Sequence, residues 1–202
     1  MDKIIEWLLD GDISLQYMTY RDLLDVGEPD LLKMQKRIET EGFGARYLSC
    51  RNENGHWGRH YYQPKWTSTH YSLLDIKNLG MPGSCAQCRT MVNRIFDECV
   101  YKDGSINFAK TDLPSDVCIN GMVLNYSAYF GIGEKGLSGI IDYLFKVRMH
   151  DGGFSWNYLK DKIHSEPHTT TAVLEGFHEY KEAGYAYRLQ EIEDAEKYDD
   201  NK

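Results

Sequence analysis

The stretch SEPHTTTAVLEGF (165–177) sets His168 beside three threonines, Thr169, Thr170 and Thr171, where an amphipathic helix would otherwise begin. Threonine is a poor helix former, so the run asks for a reason. One reading is local: Ser165 or Thr169 caps the helix, and Leu174 and Phe177 face a core. The other is chemical: an imidazole held at the start of a helix binds a ligand. Three further places carry reactive side chains. HWGRHYYQPKW (56–66) gathers Trp57, His60, Tyr61, Tyr62 and Trp66 beside two cations, Arg59 and Lys65. Cys85-Ala86-Gln87-Cys88 has the spacing of a metal or redox pair but lacks a second pair, and packing on a helix is the competing reading. His164 is suited to acid or base work, although the sequence places no carboxylate opposite it.

These residues belong to a chain of 202 residues with 42% apolar residues, 15 tyrosines and 4 tryptophans. Its mean hydropathy of −0.56 suits a globular protein, and its length supports one sizeable core, so a single unit over 1–202 is expected. Abundant rings line cores and also line pockets for apolar or sugar-like ligands. A net charge of −8 repels a phosphate backbone, which argues against a nucleic-acid partner. The opening MDKIIEWLLDGD is too short and too acidic for a signal peptide, and no later stretch has the length of an integral membrane segment. A cytoplasmic chain is the expectation. Five cysteines, Cys50, Cys85, Cys88, Cys99 and Cys118, are too few and too odd in number for a disulfide scaffold, so reduced thiols are expected.

The elements that would position the reactive side chains recur with a period of 50 residues. KWTSTHYSLL (65–74), SDVCINGMVL (115–124) and EPHTTTAVLEGF (166–177) align Leu74, Leu124 and Leu174, and the same shift superimposes Ser68, Cys118 and His168. A glycine turn precedes each: NENGHWG (52–58), KDGSINF (102–108) and HDGGFSW (150–156). Further helices are expected at 4–9, 14–24, 30–48, 85–100 and 136–149, with glycines as punctuation. Only INF (106–108) suggests extended chain. The fold expected is all-α, built from stacked helical hairpins, with a polar tail at 191–202.

A glycine-aromatic turn before each inner helix resembles the repeat of the α/α-toroid superfamily, which includes protein prenyltransferase β subunits and squalene or terpenoid cyclases. More closely, the tryptophan-containing start, the PKWTSTHYSLL block and the final HTT block resemble a bacterial group of squalene-cyclase-like proteins over most of residues 4–190. The resemblance implies an α/α toroid, here a partial ring with fewer hairpins than a complete one. It also implies a central cavity bordered by the segments that enter the inner helices, with Trp57, Tyr61, Trp66, Ser68, His70, Trp156 and His164 as lining candidates. Isoprenoid-like or other small apolar ligands are the implied substrates.

Prenyltransferase β subunits hold zinc through Asp-x-Cys at one inner helix and a His at a later one. By this resemblance Asp116, Cys118 and His168 are the candidate zinc ligands, leaving a fourth position open for substrate. The structural alternative makes Asp116 an N-cap, Cys118 a small buried apolar group and His168 a hydrogen-bonding partner of a turn. Two departures limit the resemblance. The acid motif of the terpene cyclases, Asp-x-Asp-Asp, has no counterpart beyond Asp199-Asp200 in the tail, and no basic cluster for a diphosphate stands near Cys118 or His168. Cyclisation of squalene and farnesylation of proteins are therefore not implied. Two functions stay open: a zinc-dependent enzyme acting on an apolar substrate, and a non-catalytic helical-repeat module that binds a peptide or protein. A carbohydrate-active α/α barrel would need paired acids on facing helix ends, and none is identified.

Overall fold

The computed structural model describes residues 2–24, 26–156 and 164–197, so Asp199-Asp200 lies outside the described residues. Among the described residues ten α-helices follow one another: α1 (Lys3–Leu9), α2 (Ile13–Leu23), α3 (Glu28–Arg37), α4 (Gly42–Ser49), α5 (Thr69–Asn78), α6 (Ala86–Cys99), α7 (Val117–Tyr129), α8 (Glu134–Lys146), α9 (Pro167–Glu182) and α10 (Leu189–Glu196). The described residues contain no strand beyond an isolated antiparallel bridge between Val100 and Ile106, which is all that becomes of the extended chain expected at 106–108. The all-α expectation is met. No described helix is long and apolar enough to cross a membrane.

The chain divides into two compact units, Met1–Met91 and Val92–Lys202. In the first, the expected 30–48 helix is broken at residues 38–41. The break is useful: Asp12 caps α2 by accepting from the Ser14 amide (2.9 Å) and also accepts from the Phe43 amide at the start of α4 (2.9 Å). One carboxylate thus satisfies orphan N–H groups of two helices. Gly42 is required there, since a Cβ would stand 2.1 Å from Asp12 Oδ2.

In the second unit α7 and α9 pack most extensively. Gly121 lies against the backbone of Ala172 and Val173, and Asn125 Nδ2 donates to the Glu175 carbonyl (3.0 Å). Contacts climb both helices in the same direction, so the two run parallel. Their caps, Asp116 and Glu166, are 50 residues apart, as the repeat requires. Around them Leu137, Ile140, Ile141, Leu144, Phe154, Val173, Phe177 and Tyr180 form the buried core, with Phe145 and Phe177 stacked at 5.3 Å. The expected polar tail is helical in its first part: α10 buries Ile192 and Ala195 and Lys181 pairs with Glu196 at 2.5 Å.

The three glycine turns are the same object. Gly55, Gly104 and Gly152 have φ of 86°, 86° and 93°, a region closed to most side chains. Their amides donate to the carbonyls of Asn52, Tyr101 and Met149 at 2.8–2.9 Å. The side chains of Asn54, Asp103 and Asp151 accept from the amides of His56, Ser105 and Gly153 at 3.0–3.3 Å, the Asx geometry that explains Asn and Asp at these places. The next residue in each is an apolar wedge, Trp57, Ile106 or Phe154, at most 2% exposed.

Burying a wedge also buries its peptide groups, which then need partners. A polar side chain of the following helix supplies them. Asn120 accepts from the Ile106 amide (2.7 Å) and donates to its carbonyl (3.1 Å). Thr170 accepts from the Phe154 amide (3.0 Å) and donates to its carbonyl (3.3 Å). In the first unit Thr69 donates to the Trp57 carbonyl (3.2 Å). The threonine run is therefore explained in part by the fold: Thr170 anchors the wedge, and Thr169 is fully buried. Neither Ser165 nor Thr169 caps α9, whose cap position is Glu166 with Pro167 following.

Two predictions follow from this packing. A Cβ on Gly121 or Gly176 would stand 2.5–2.8 Å from the facing helix backbone, so Gly121→Ala or Gly176→Ala should cost about 2–4 kcal/mol by overpacking. Gly133→Ala, with nothing within 4 Å, should stay within about 1 kcal/mol, the scale of an N-cap change. Thr170→Val should cost about 1–3 kcal/mol through the stranded Phe154 amide, and Thr171→Val, on the exposed face, should be nearly neutral. Urea unfolding of the five variants beside the wild type measures all of these differences, and a neutral Gly121→Ala would refute the close-packed account of α7 and α9.

Candidate functional site

The first unit holds a cavity of about 450 Å³ lined by Phe43, Arg46, Tyr47, Cys50, Trp57, Gly58, Trp66, Thr67 and Ser72. That volume is in the range of small-molecule sites. Three local structures build it. Helix α4 supplies Phe43, Arg46 and Tyr47. Tyr47 is fixed at both ends, its hydroxyl donating to Asp75 (2.9 Å) and its carbonyl accepting from the Trp57 indole (2.7 Å). Burial, with Asp75 in support, pushes its phenol up to about 12, so it stays a neutral donor. The first glycine turn supplies Trp57, whose ring carries the Arg51 guanidinium 5.3 Å from its centroid, while Arg51 Nε donates to the Gly55 carbonyl (2.7 Å). The segment entering α5 supplies Trp66 and Thr67, and the first turn of α5 supplies Ser72.

Trp66 is the unusual member. Its φ of 71° is left-handed, which is rare and costly for a bulky L-residue. Its indole is 73% exposed and rests on Tyr71 at 4.9 Å. Phe43 is 53% exposed on the same cavity. Arg46, also on the rim, makes no ion pair among the described residues. The cavity therefore combines aromatic faces with one cation that has no acid partner, a surface suited to a flat apolar molecule that carries a negative group.

Of the residues named as lining candidates for a central cavity, Trp57 and Trp66 line this cavity of the first unit. Tyr61, Ser68 and His70 lie in the same unit but are buried, at 6%, 0% and 0% exposure, and do not line the 450 Å³ cavity. His70 begins the core face of α5 between Tyr62 and Tyr71, with ring centroids at 5.9 and 4.9 Å. Trp156 (49% exposed) and His164 belong to the second unit; His164 is open to solvent, with Asp151 at 3.9 Å from Nδ1. Phe43, Arg46, Tyr47, Cys50, Thr67 and Ser72 were not read from the sequence as site residues.

Cys118 and His168 occupy equivalent places, each the second residue of its helix, on the packed parallel pair α7 and α9. Asp116 caps α7 by accepting from the Ile119 amide (3.2 Å), and His168 is exposed with Nε2 3.3 Å from Thr169 Oγ1. Among the described residues no three His, Cys, Asp or Glu side chains stand together as a metal site, this set included. None of the five cysteines forms a disulfide. A second hollow of about 300 Å³, lined from Glu98 to Asp112, is polar, and its groups pair with each other: Lys110 with Glu98 at 3.4 Å, Tyr101 with Asp112 at 3.0 Å. No family model, curated protein or solved structure matches the chain.

Burial lowers His70 to about 3, which keeps it neutral in the folded protein. The unfolded chain binds a proton there below about 6.5 and the folded chain does not. Its contribution is therefore complete above pH 6.5 and is lost as pH falls toward 3, with a slope approaching about 1.4 kcal/mol per pH unit. Urea unfolding at pH 7, 6 and 5 should show that slope in the wild type and a flatter one in His70→Gln; equal slopes would mean that the imidazole is solvated.

Proposed function

We propose that this chain is a helical-repeat binding protein of the α/α-toroid type, whose first unit takes a flat apolar or aromatic ligand carrying an anionic group. The observation that carries the reading is Trp66: a strained backbone holds a large ring in solvent at the mouth of a cavity already walled by Phe43, Tyr47 and Trp57. Strain of this kind persists where the surrounding structure fixes it, and it concentrates at ligand clamps. Arg46 supplies the charge that selects an anion. The toroid arrangement is supported by three equivalent turns with their wedges and by the parallel packing of α7 on α9. The isoprenoid-like ligands implied by the resemblance fit the same apolar walls, and an isoprenoid acid or phosphate would also use Arg46.

The test uses two fluorescent probes of similar shape, 8-anilinonaphthalene-1-sulfonate and neutral N-phenyl-1-naphthylamine. Both should bind the folded protein saturably at one site. Trp66→Ala should weaken both by about 5–30-fold, the worth of one aromatic contact. Arg46→Gln should weaken the sulfonate alone. No saturable binding, or binding indifferent to Trp66, overturns the proposal. Near-stoichiometric zinc in the purified protein, lost in Cys118→Ala and in His168→Ala, would instead favour the zinc-dependent enzyme that the sequence motifs imply.

A further inference from the structure

Two helix faces form the walls of the first unit's cavity. On α4, Phe43, Arg46 and Tyr47 fall at i, i+3 and i+4, and Cys50, the residue that ends the helix, continues the stripe at i+7. On α5, Ser72 and Asp75 stand three residues apart and so share a face. The Tyr47 hydroxyl joins the two helices by donating to Asp75 (2.9 Å), and the Trp57 indole donates to the Tyr47 carbonyl (2.7 Å). Those two polar groups of the wall are already paired.

Two others are not. Arg46 makes no ion pair among the described residues, and the Ser72 hydroxyl makes no hydrogen bond among them. Ser72 is the less ordinary case. A serine within a helix commonly turns its hydroxyl back to the carbonyl four residues earlier; here that carbonyl, on Ser68, receives the Ser72 amide (2.9 Å) and not the hydroxyl. Burial gives the cavity a direction. Phe43, Arg46 and Trp66 are exposed at its mouth, whereas Trp57 and Ser72, the latter 4% exposed, are buried at its floor. Thr67 and Cys50, which also line it, are exposed and reach solvent. The floor therefore presents one hydroxyl among apolar rings, and the mouth presents one cation.

We infer that the ligand is a fused-ring aromatic acid that carries a hydroxyl at the end opposite its acid group. Arg46 takes the acid, the aromatic walls take the rings, and Ser72 takes the hydroxyl. The inference rests on the reading of this cavity as a ligand site and names what the site selects. A purely apolar tail on the floor would seal the Ser72 hydroxyl away from any partner, which disfavours it. A second acid group there would be buried where no cation lines the wall. A hydroxyl is neutral and, like that of serine, both donates and accepts, so it fits in either sense of the bond.

The test compares 2-naphthoate with 6-hydroxy-2-naphthoate by isothermal titration calorimetry on the full chain at pH 7, where both carboxylates are ionised. The hydroxylated acid should bind the wild type about 3–10-fold more tightly, the worth of one hydrogen bond. In Ser72→Ala that advantage should vanish while the affinity for 2-naphthoate is unchanged, which also reports that the variant is folded. Arg46→Gln should weaken both acids alike and preserve their ratio. A structural role for Ser72 would instead weaken both acids together in Ser72→Ala, and that result overturns the inference. So does equal affinity of the two acids for the wild type, an advantage that survives in Ser72→Ala, or binding of the anilinonaphthalene sulfonate without either naphthoate; each of these leaves the cavity reading standing. Absence of binding by all three probes overturns both.

Discussion

The structure depends on one repeated transaction between an irregular segment and the helix that follows it. A glycine turn drives an apolar wedge into the core, and the wedge carries its peptide groups out of water. Each buried amide or carbonyl left without a partner costs about 1–3 kcal/mol, so the wedge is tolerated only where a helix offers a polar side chain at the right height. Asn120 meets both groups of Ile106, and Thr170 meets both groups of Phe154. Thr69 meets the carbonyl of Trp57 and also contacts His56 Nδ1 at 3.0 Å. Different residue types thus give one architectural result.

The same constraint explains the glycines on α7 and α9. A wedge anchored to the start of a helix fixes where that helix begins, so two neighbouring helices with anchored starts have little freedom to slide. Their closest approach then falls at a set height, and the residues at that height must be small. Gly121 and Gly176 occupy it, and Asn125 closes the contact one turn further on by donating to Glu175. An i-to-i+50 hydrogen bond between helices is the 50-residue repeat expressed as a distance in space.

How much of this was legible in the sequence follows from which forces are local. Asn-Gly and Asp-Gly announce turns through φ, a local property, and all three turns stand where they were read. Helices with a clear apolar face were placed to within a few residues. The phase of the first repeat was not legible. Ser68 is a cap, whereas Cys118 and His168, fifty and one hundred residues on, are each the second residue of a helix. The reason is loop length: from the turn glycine to the cap takes 13 residues in the first repeat, 12 in the second and 14 in the third (55 to 68, 104 to 116, 152 to 166). The cavity was half legible. Trp57 and Trp66 stand out as rings beside a glycine turn, but Phe43, Arg46 and Tyr47 join them through the break at residues 38–41, which Asp12 stabilises from 31 residues away. No periodicity reports a contact of that kind.

The two units differ in where they break the local rules that make a sequence fold. In the second, departures are tied off at once: Arg188 is left-handed but pairs with Glu191 and Asp142 and covers Phe145 at 4.4 Å. In the first, they gather. Trp66 is left-handed and exposed, Arg46 makes no ion pair among the described residues, and His70 is neutral in the core. A bulky residue held left-handed and an imidazole buried neutral both cost stability, and such costs collect at functional sites. Arg51 braces the cavity beside them: it holds the first turn through Gly55 and lies over the Trp57 ring, so the turn that carries the repeat also sets the cavity wall.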